Sequence, residues 1–119
     1  MLKNFDKNQN YYKFYKRKNI PIVFIHGVGL DHEMWFPQVR SFKYNSILVY
    51  DLLGHGKTPL RKKTVKFEDF SNQLNDLLKY LMKPIFSLKN VSNLVVSIPI
   101  VPSNCVITPK NDMYVGVAA

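Results

Sequence analysis

The 119-residue chain holds a single cysteine, Cys105, so no disulfide can form within it. A reducing, cytoplasmic setting is the expected compartment. No apolar run reaches the roughly 20 residues that span a bilayer. The longest, from Leu94 to Val101, is interrupted by Ser97 and Pro99. The opening residues mix Lys3, Asp6 and Lys7 with Leu2 and Phe5, so no secretory leader is expected. Acids are scarce, 8 against 17 Lys and Arg, which leaves a net charge of +9. Low-complexity tracts and internal repeats are lacking too, which excludes a linker or a solenoid.

What remains is the composition of a globular chain, 46% hydrophobic and 13% aromatic. At this length a fold buries roughly 65% of the surface its unfolded chain exposes, enough for one modest core. Residues 10–18 alternate aromatics with lysine and predict a strand or hairpin arm with a wet face. Ile20, Pro21, Ile22, Val23, Phe24 and Ile25 form an almost unbroken apolar run, as in a strand buried on both faces. A short helix is expected over 31–43, with Asp31 as N-cap and a possible start near Pro37. Ser46 to Tyr50 reads as a second buried strand. A longer helix is expected over 67–82, with Phe67, Phe70, Leu74, Leu77, Leu78 and Leu81 as its apolar stripe and Pro84 as its stop. Asn93, Leu94, Val95 and Val96 form a third strand candidate. Strand, helix, strand, helix, strand predicts an α/β fold with a parallel sheet over residues 1–97. The remainder, 98–119, is read as an irregular tail.

The positive charge concentrates at 13–18 and 57–66. Interleaving of the first block with Tyr11, Tyr12, Phe14 and Tyr15 would suit stacking on nucleic acid. An exposed strand followed by a basic turn is the preferred reading, because no nucleic-acid motif accompanies the charge. His26, His32 and His55 match no metal-ligand spacing, and neither a metal nor a cofactor is called for.

Two loops end the first two buried strands, at the edge where open α/β sheets build their sites. One reads His26-Gly27-Val28-Gly29-Leu30-Asp31-His32-Glu33-Met34-Trp35, the other Asp51-Leu52-Leu53-Gly54-His55-Gly56-Lys57-Thr58. The ending Gly56-Lys57-Thr58 fits a phosphate-binding loop only in part. That pattern needs glycine where Asp51 stands, and a carboxylate there would repel phosphate.

As an ordered pair after β-branched strands, the loops resemble the α/β-hydrolase family, over about residues 18–82. There an HG loop follows the third strand and a D-x-x-G-x-G-x-[ST] loop follows the fourth. The first loop is most similar to those of enol-lactonase and carboxylesterase members. The resemblance implies the N-terminal part of an α/β-hydrolase sheet and a small-molecule ester or lactone substrate cleaved by acyl transfer. It implies that Gly27, Val28 and Gly29 form an oxyanion-hole loop with the Val28 N–H as donor. It also implies bracing roles for His26, Trp35, Asp51, Gly54, His55 and Gly56.

Two parts of that pattern are lacking. A nucleophile elbow, G-x-S-x-G, should follow the fifth strand, and Ser97 is the serine placed for it. Its surroundings are Val95-Val96-Ser97-Ile98-Pro99, without either glycine. No histidine occurs after His55 to serve as base, and Asp112 is the one acid after Asp76. The chain is therefore expected to be a truncated or frame-slipped hydrolase, inactive alone. The alternative is a non-catalytic interaction module that binds anionic partners through its basic blocks. A three-strand sheet would leave an apolar edge, so self-association through that edge is also expected.

Overall fold

The computed structural model describes residues 2–82, 95–99 and 114–118, with side chains over 5–19 and 21–81. Strand β3, Asn19–Ile25, and strand β4, Asn45–Tyr50, lie side by side in parallel, with Ile22 opposite Ile47 and Phe24 opposite Val49. Both are buried on both faces, as their apolar, β-branched composition requires. Alternation then divides the core in two. Val23, Leu48 and Tyr50 face one way, against Leu77, Leu78 and Leu81. Ile22, Phe24, Ile47 and Val49 face the other, against Trp35 and Val39.

Helix α2, Phe67–Met82, supplies the leucines of the first cluster, with Glu68 and Asp69 in its first turn and Lys79 in its last. Asp69 also accepts the Lys66 N–H at 2.8 Å, closing a cap on the first turn. The apolar stripe is shorter than expected. Phe67 is 78% exposed, because it occupies the first helical position, ahead of the turns that lie on the sheet. The other cluster is covered by a 3-10 turn, His32–Trp35, leading into α1, Phe36–Ser41. Asp31 caps the turn by accepting the Glu33 N–H at 2.8 Å, and Pro37 sits in the first turn of α1. The segment expected as one helix is thus two short pieces.

The N-terminal region is a hairpin of β1, Leu2–Phe5, and β2, Tyr11–Tyr15, with β2 antiparallel to β4. The expected wet face is corrected. Tyr11, Tyr12 and Phe14 are all buried, because β2 lies between β1 and β4 and not at an edge. Tyr12 and Phe14 join the α2-side cluster, and Tyr11 packs on His32 across the opposite face.

Strand β5, Val95–Pro99, pairs in parallel with β3, and strand β6, Tyr114–Ala118, pairs in parallel with β5. The sheet order is β1-β2-β4-β3-β5-β6. The reading of 98–119 as wholly irregular is therefore corrected, since the run Tyr-Val-Gly-Val-Ala forms a strand. The boundary placed after Ser97 falls inside β5, and β6 occupies the β5 edge expected to be open.

Leu77 is fully buried between α2 and the sheet. Replacing it with alanine is expected to lower unfolding free energy by about 2–5 kcal/mol. Phe67→Ala should change it by less than about 0.5 kcal/mol, as at other exposed positions. Urea unfolding of both variants beside the parent chain measures the contrast.

Candidate functional site

The loops after β3 and β4 meet at one buried carboxylate. Asp51 directly follows β4 and is 0% exposed. Its Oδ1 accepts the His32 backbone N–H at 2.8 Å and the His32 Nδ1–H at 2.7 Å. Its Oδ2 accepts the Lys57 N–H at 2.9 Å. One side chain thus ties the first loop to the second, through charge-assisted bonds that are stronger than neutral ones.

The second loop folds around this contact. Turns close from His55 N–H to Leu52 carbonyl and from Thr58 N–H to His55 carbonyl, each at 2.9 Å. Gly54 and Gly56 have φ of +72° and +51°. At Gly56 a β-carbon would lie 2.3 Å from Asp51 Oδ2, so the loop reaches the carboxylate only with glycine there. This also disposes of the phosphate-loop reading, since the N–H of Lys57 already points at an anion from the chain itself.

His26 is buried at the end of β3. Its Nε2 accepts the Leu52 N–H at 2.9 Å, while Nδ1 lies 2.8 Å from the Gly27 carbonyl. A carbonyl only accepts, so the Nδ1 nitrogen carries the proton and both ring nitrogens are occupied in the neutral form. Burial holds its pKa below the ordinary histidine value, against the opposing pull of the Gly27 carbonyl and Asp51. His55 donates Nδ1–H to the Leu53 carbonyl at 2.9 Å, and its ring lies 5.3 Å from that of His26.

Between the loops lies an open cleft of ≈ 530 Å³, lined by Gly29, Leu30, Asp31, Met34, Gly54, His55 and Gly56. The first loop turns at Gly29, with φ of +81°, closed by a Leu30 N–H to Gly27 carbonyl bond of 3.2 Å. Gly27, unlike Gly29, needs no positive φ. Val28, at the tip, is 85% exposed, and its N–H meets no partner among the described residues.

The model of the alpha/beta hydrolase family matches residues 22–96. The chain belongs to that family. Among curated relatives, (E)-2-((N-methylformamido)methylene)succinate hydrolase of Acinetobacter baylyi is 33% identical over 64 residues, 53% of this chain and 24% of the relative. The 3-oxoadipate enol-lactonase 1 of the same organism is 35% identical over 66 residues, covering 54% and 24%. The chain thus spans about a quarter of the length of the curated relatives it matches. Among solved structures, the Cif epoxide hydrolase of Acinetobacter nosocomialis aligns with a TM-score of 0.64 at 24% identity. That alignment covers 85% of this chain and 38% of the other, and the likeness is one of fold.

The hydrolase fold brings the two loops together, and Ser97 lies inside a strand. Ser97 lies within β5, in register with Phe24 on one side and Gly116 on the other. Trp35 packs on Phe24 with ring centroids 4.7 Å apart, and its buried Nε1 finds no hydrogen-bond partner among the described residues. No group of three or more potential metal ligands occurs among the described residues. Nor is any described helix long and apolar enough to cross a membrane.

Sequence reasoning missed a polar cluster behind the second loop. Gln73 of α2 accepts the Leu53 N–H at 3.1 Å and donates to the Asp51 carbonyl at 2.9 Å and to Asn10 Oδ1 at 3.0 Å. Asn10 donates to Asp6 Oδ2 at 2.8 Å and accepts from Arg61 at 3.0 Å. Thr58 Oγ1 accepts the Tyr11 N–H at 3.0 Å, while Lys57 sits 4.7 Å above the Tyr11 ring. One signal was available, since Gln73 falls three residues after Phe70 and four before Leu77, a polar residue on an apolar stripe.

Gly56→Ala is expected to cost at least about 2 kcal/mol, combining strain at positive φ with collision at Asp51. Thermal denaturation beside Gly29→Ala, which meets no neighbouring atom within 4 Å, separates collision from strain. A second expectation concerns acid. With its folded pKa below 6.5, His26 contributes stability that is complete above the unfolded value. As pH falls through that value the unfolded chain takes up the proton first, and the contribution declines until the folded pKa is passed. Stability measured against pH should fall less steeply over that window in His26→Gln than in the parent chain.

Proposed function

We propose that the cleft between the two loops receives the carbonyl of a small ester or lactone, with the Val28 N–H as one donor of an oxyanion hole. The observation that carries this is the free N–H at the tip of a loop whose base is clamped through His32 and Asp51. Catalysis of acyl transfer needs donors fixed before charge develops on the carbonyl oxygen, and a braced backbone amide meets that need. Gly27 and Gly29 keep side chains away from the approach. His26, Trp35, Asp51, Gly54, His55 and Gly56 brace the loops. The curated relatives are named as a hydrolase and an enol-lactonase, which fits this substrate class.

Alone, the chain performs no turnover by the family mechanism. Ser97 lacks flanking glycines and no histidine follows His55, so nothing deprotonates a serine hydroxyl, which is a weak nucleophile by itself. The alternative is a basic module that binds anions, although some of its basic side chains are already engaged within the chain. Arg17 donates to the Val39 and Phe42 carbonyls, Arg61 to Asn10, and Lys62 pairs with Asp69.

Amide correlation spectra of the isotope-labelled chain test the binding reading. Addition of γ-butyrolactone should move the Val28 and Gly29 signals and leave those of β1 in place. Signals at Val28 that stay fixed up to the solubility limit of the lactone would sink it. In parallel, p-nitrophenyl butyrate should hydrolyse at the background rate, and a fluorophosphonate should leave Ser97 unlabelled. Labelling of Ser97 would overturn the claim of inactivity.

A further inference from the structure

His55 is held more firmly than bracing the second loop requires. Its flanking residues, Gly54 and Gly56, both adopt positive φ. Its backbone N–H and carbonyl each close a turn, to Leu52 and from Thr58. The ring is fixed at one nitrogen by the Leu53 carbonyl, 2.9 Å away, and packs against the buried ring of His26. The carbonyl at Leu53 can only accept, so Nδ1 carries the hydrogen and the neutral ring offers Nε2 as an acceptor. Nε2 has no hydrogen-bond partner among the described residues, and the half-buried His55 lines the cleft together with Gly29, Leu30, Asp31 and Met34.

An acceptor of fixed orientation in a cleft selects for ligands that bring a donor. The second polar side chain of the lining, Asp31, is likewise an acceptor, with its Oδ1 already engaged by the Glu33 N–H. The remaining lining residues are apolar or glycine. Resting on the acyl-transfer reading of this cleft, we infer that His55 Nε2 is a ligand-binding group that accepts a hydroxyl hydrogen from the substrate, so that the favoured substrates are hydroxylated esters or lactones. The Val28 N–H then meets the carbonyl oxygen and His55 meets the hydroxyl, two contacts of opposite polarity from opposite loops. In this assignment His55 is neither base nor nucleophile. It decides which carbonyl compound is retained.

The test compares α-hydroxy-γ-butyrolactone with γ-butyrolactone, titrated into the full chain in alkaline buffer, where imidazole is neutral. The hydroxylated lactone should bind about fivefold more tightly, the usual yield of one neutral hydrogen bond. It alone should shift the Nε2 nitrogen signal of His55. In His55→Ala the preference between the two lactones should vanish. The ring-nitrogen signal reads the contact in the unmodified chain, so it decides the matter even where the variant fails to fold. If both lactones move the Val28 amide equally and Nε2 is silent, the role of His55 is overturned and the acyl-transfer reading stands. If neither lactone moves the Val28 amide, both fall together.

Discussion

A carboxylate removed from water has to be compensated in full, and Asp51 sets the terms for everything around it. Desolvating such a group costs several kcal/mol even after relaxation. The three N–H bonds it accepts, two from His32 and one from Lys57, each return about 1.5–3 kcal/mol. Cost and return nearly cancel, so the hub contributes little net stability. What it contributes is geometry. Each donor stands where it does because an unpaired lone pair in this place would be expensive, and the two loops are thereby held in one relation to each other.

From that carboxylate the constraints propagate outward. Gly56 cannot carry a β-carbon because the Asp51 oxygen occupies its place. His32 must present both its backbone and its ring, which the 3-10 turn capped by Asp31 arranges. The next shell repeats the logic with neutral groups. His26 takes the Leu52 N–H and Gln73 takes the Leu53 N–H, so successive amides of the second loop are answered by β3 and by α2. Thr58 then fastens the same loop to the N-terminal hairpin, whose Asn10 accepts from Gln73. Leaving any of these buried groups without a partner costs about 1–3 kcal/mol, which explains why so short a loop recruits anchors from four separate elements.

Much of this was legible in the sequence, and the exceptions share a cause. Strands β3 and β4 and helix α2 were readable because their signals are local: continuous apolar runs, a stripe at helical spacing, and charges of the right sign at each end. The loops were readable as a pair because glycine and aspartate mark abrupt turns after buried strands. The partners of Asp51 were not, since His32 lies 19 residues away and no periodicity joins them. Residues 10–18 suggest a wet face because alternation with lysine looks the same on an edge strand as on a strand flanked on both sides. Strand β6 is five residues long, and a run that short acquires meaning only from the strand it pairs with. Gln73 was in plain view, yet a polar residue on an apolar stripe announces only that some partner exists.

The arrangement also separates two properties that an acyl-transfer site must combine. A fixed donor requires only that its loop be braced, and the braces at Val28 all come from residues 26–57: the turn at Gly29, the cap at Asp31 and the clamp at His32. A competent nucleophile requires a strained turn after β5 together with an imidazole from elsewhere in the chain. The first property is local in sequence and depends on one buried carboxylate. The second is non-local and depends on the register and ending of a strand. Asp51 draws its carboxylate partners, His32 and Lys57, from the two loops, and neither is among the residues paired with β5. The loop geometry around Asp51 therefore does not depend on the residue type at position 97, because the bonds that fix it lie within residues 26–57.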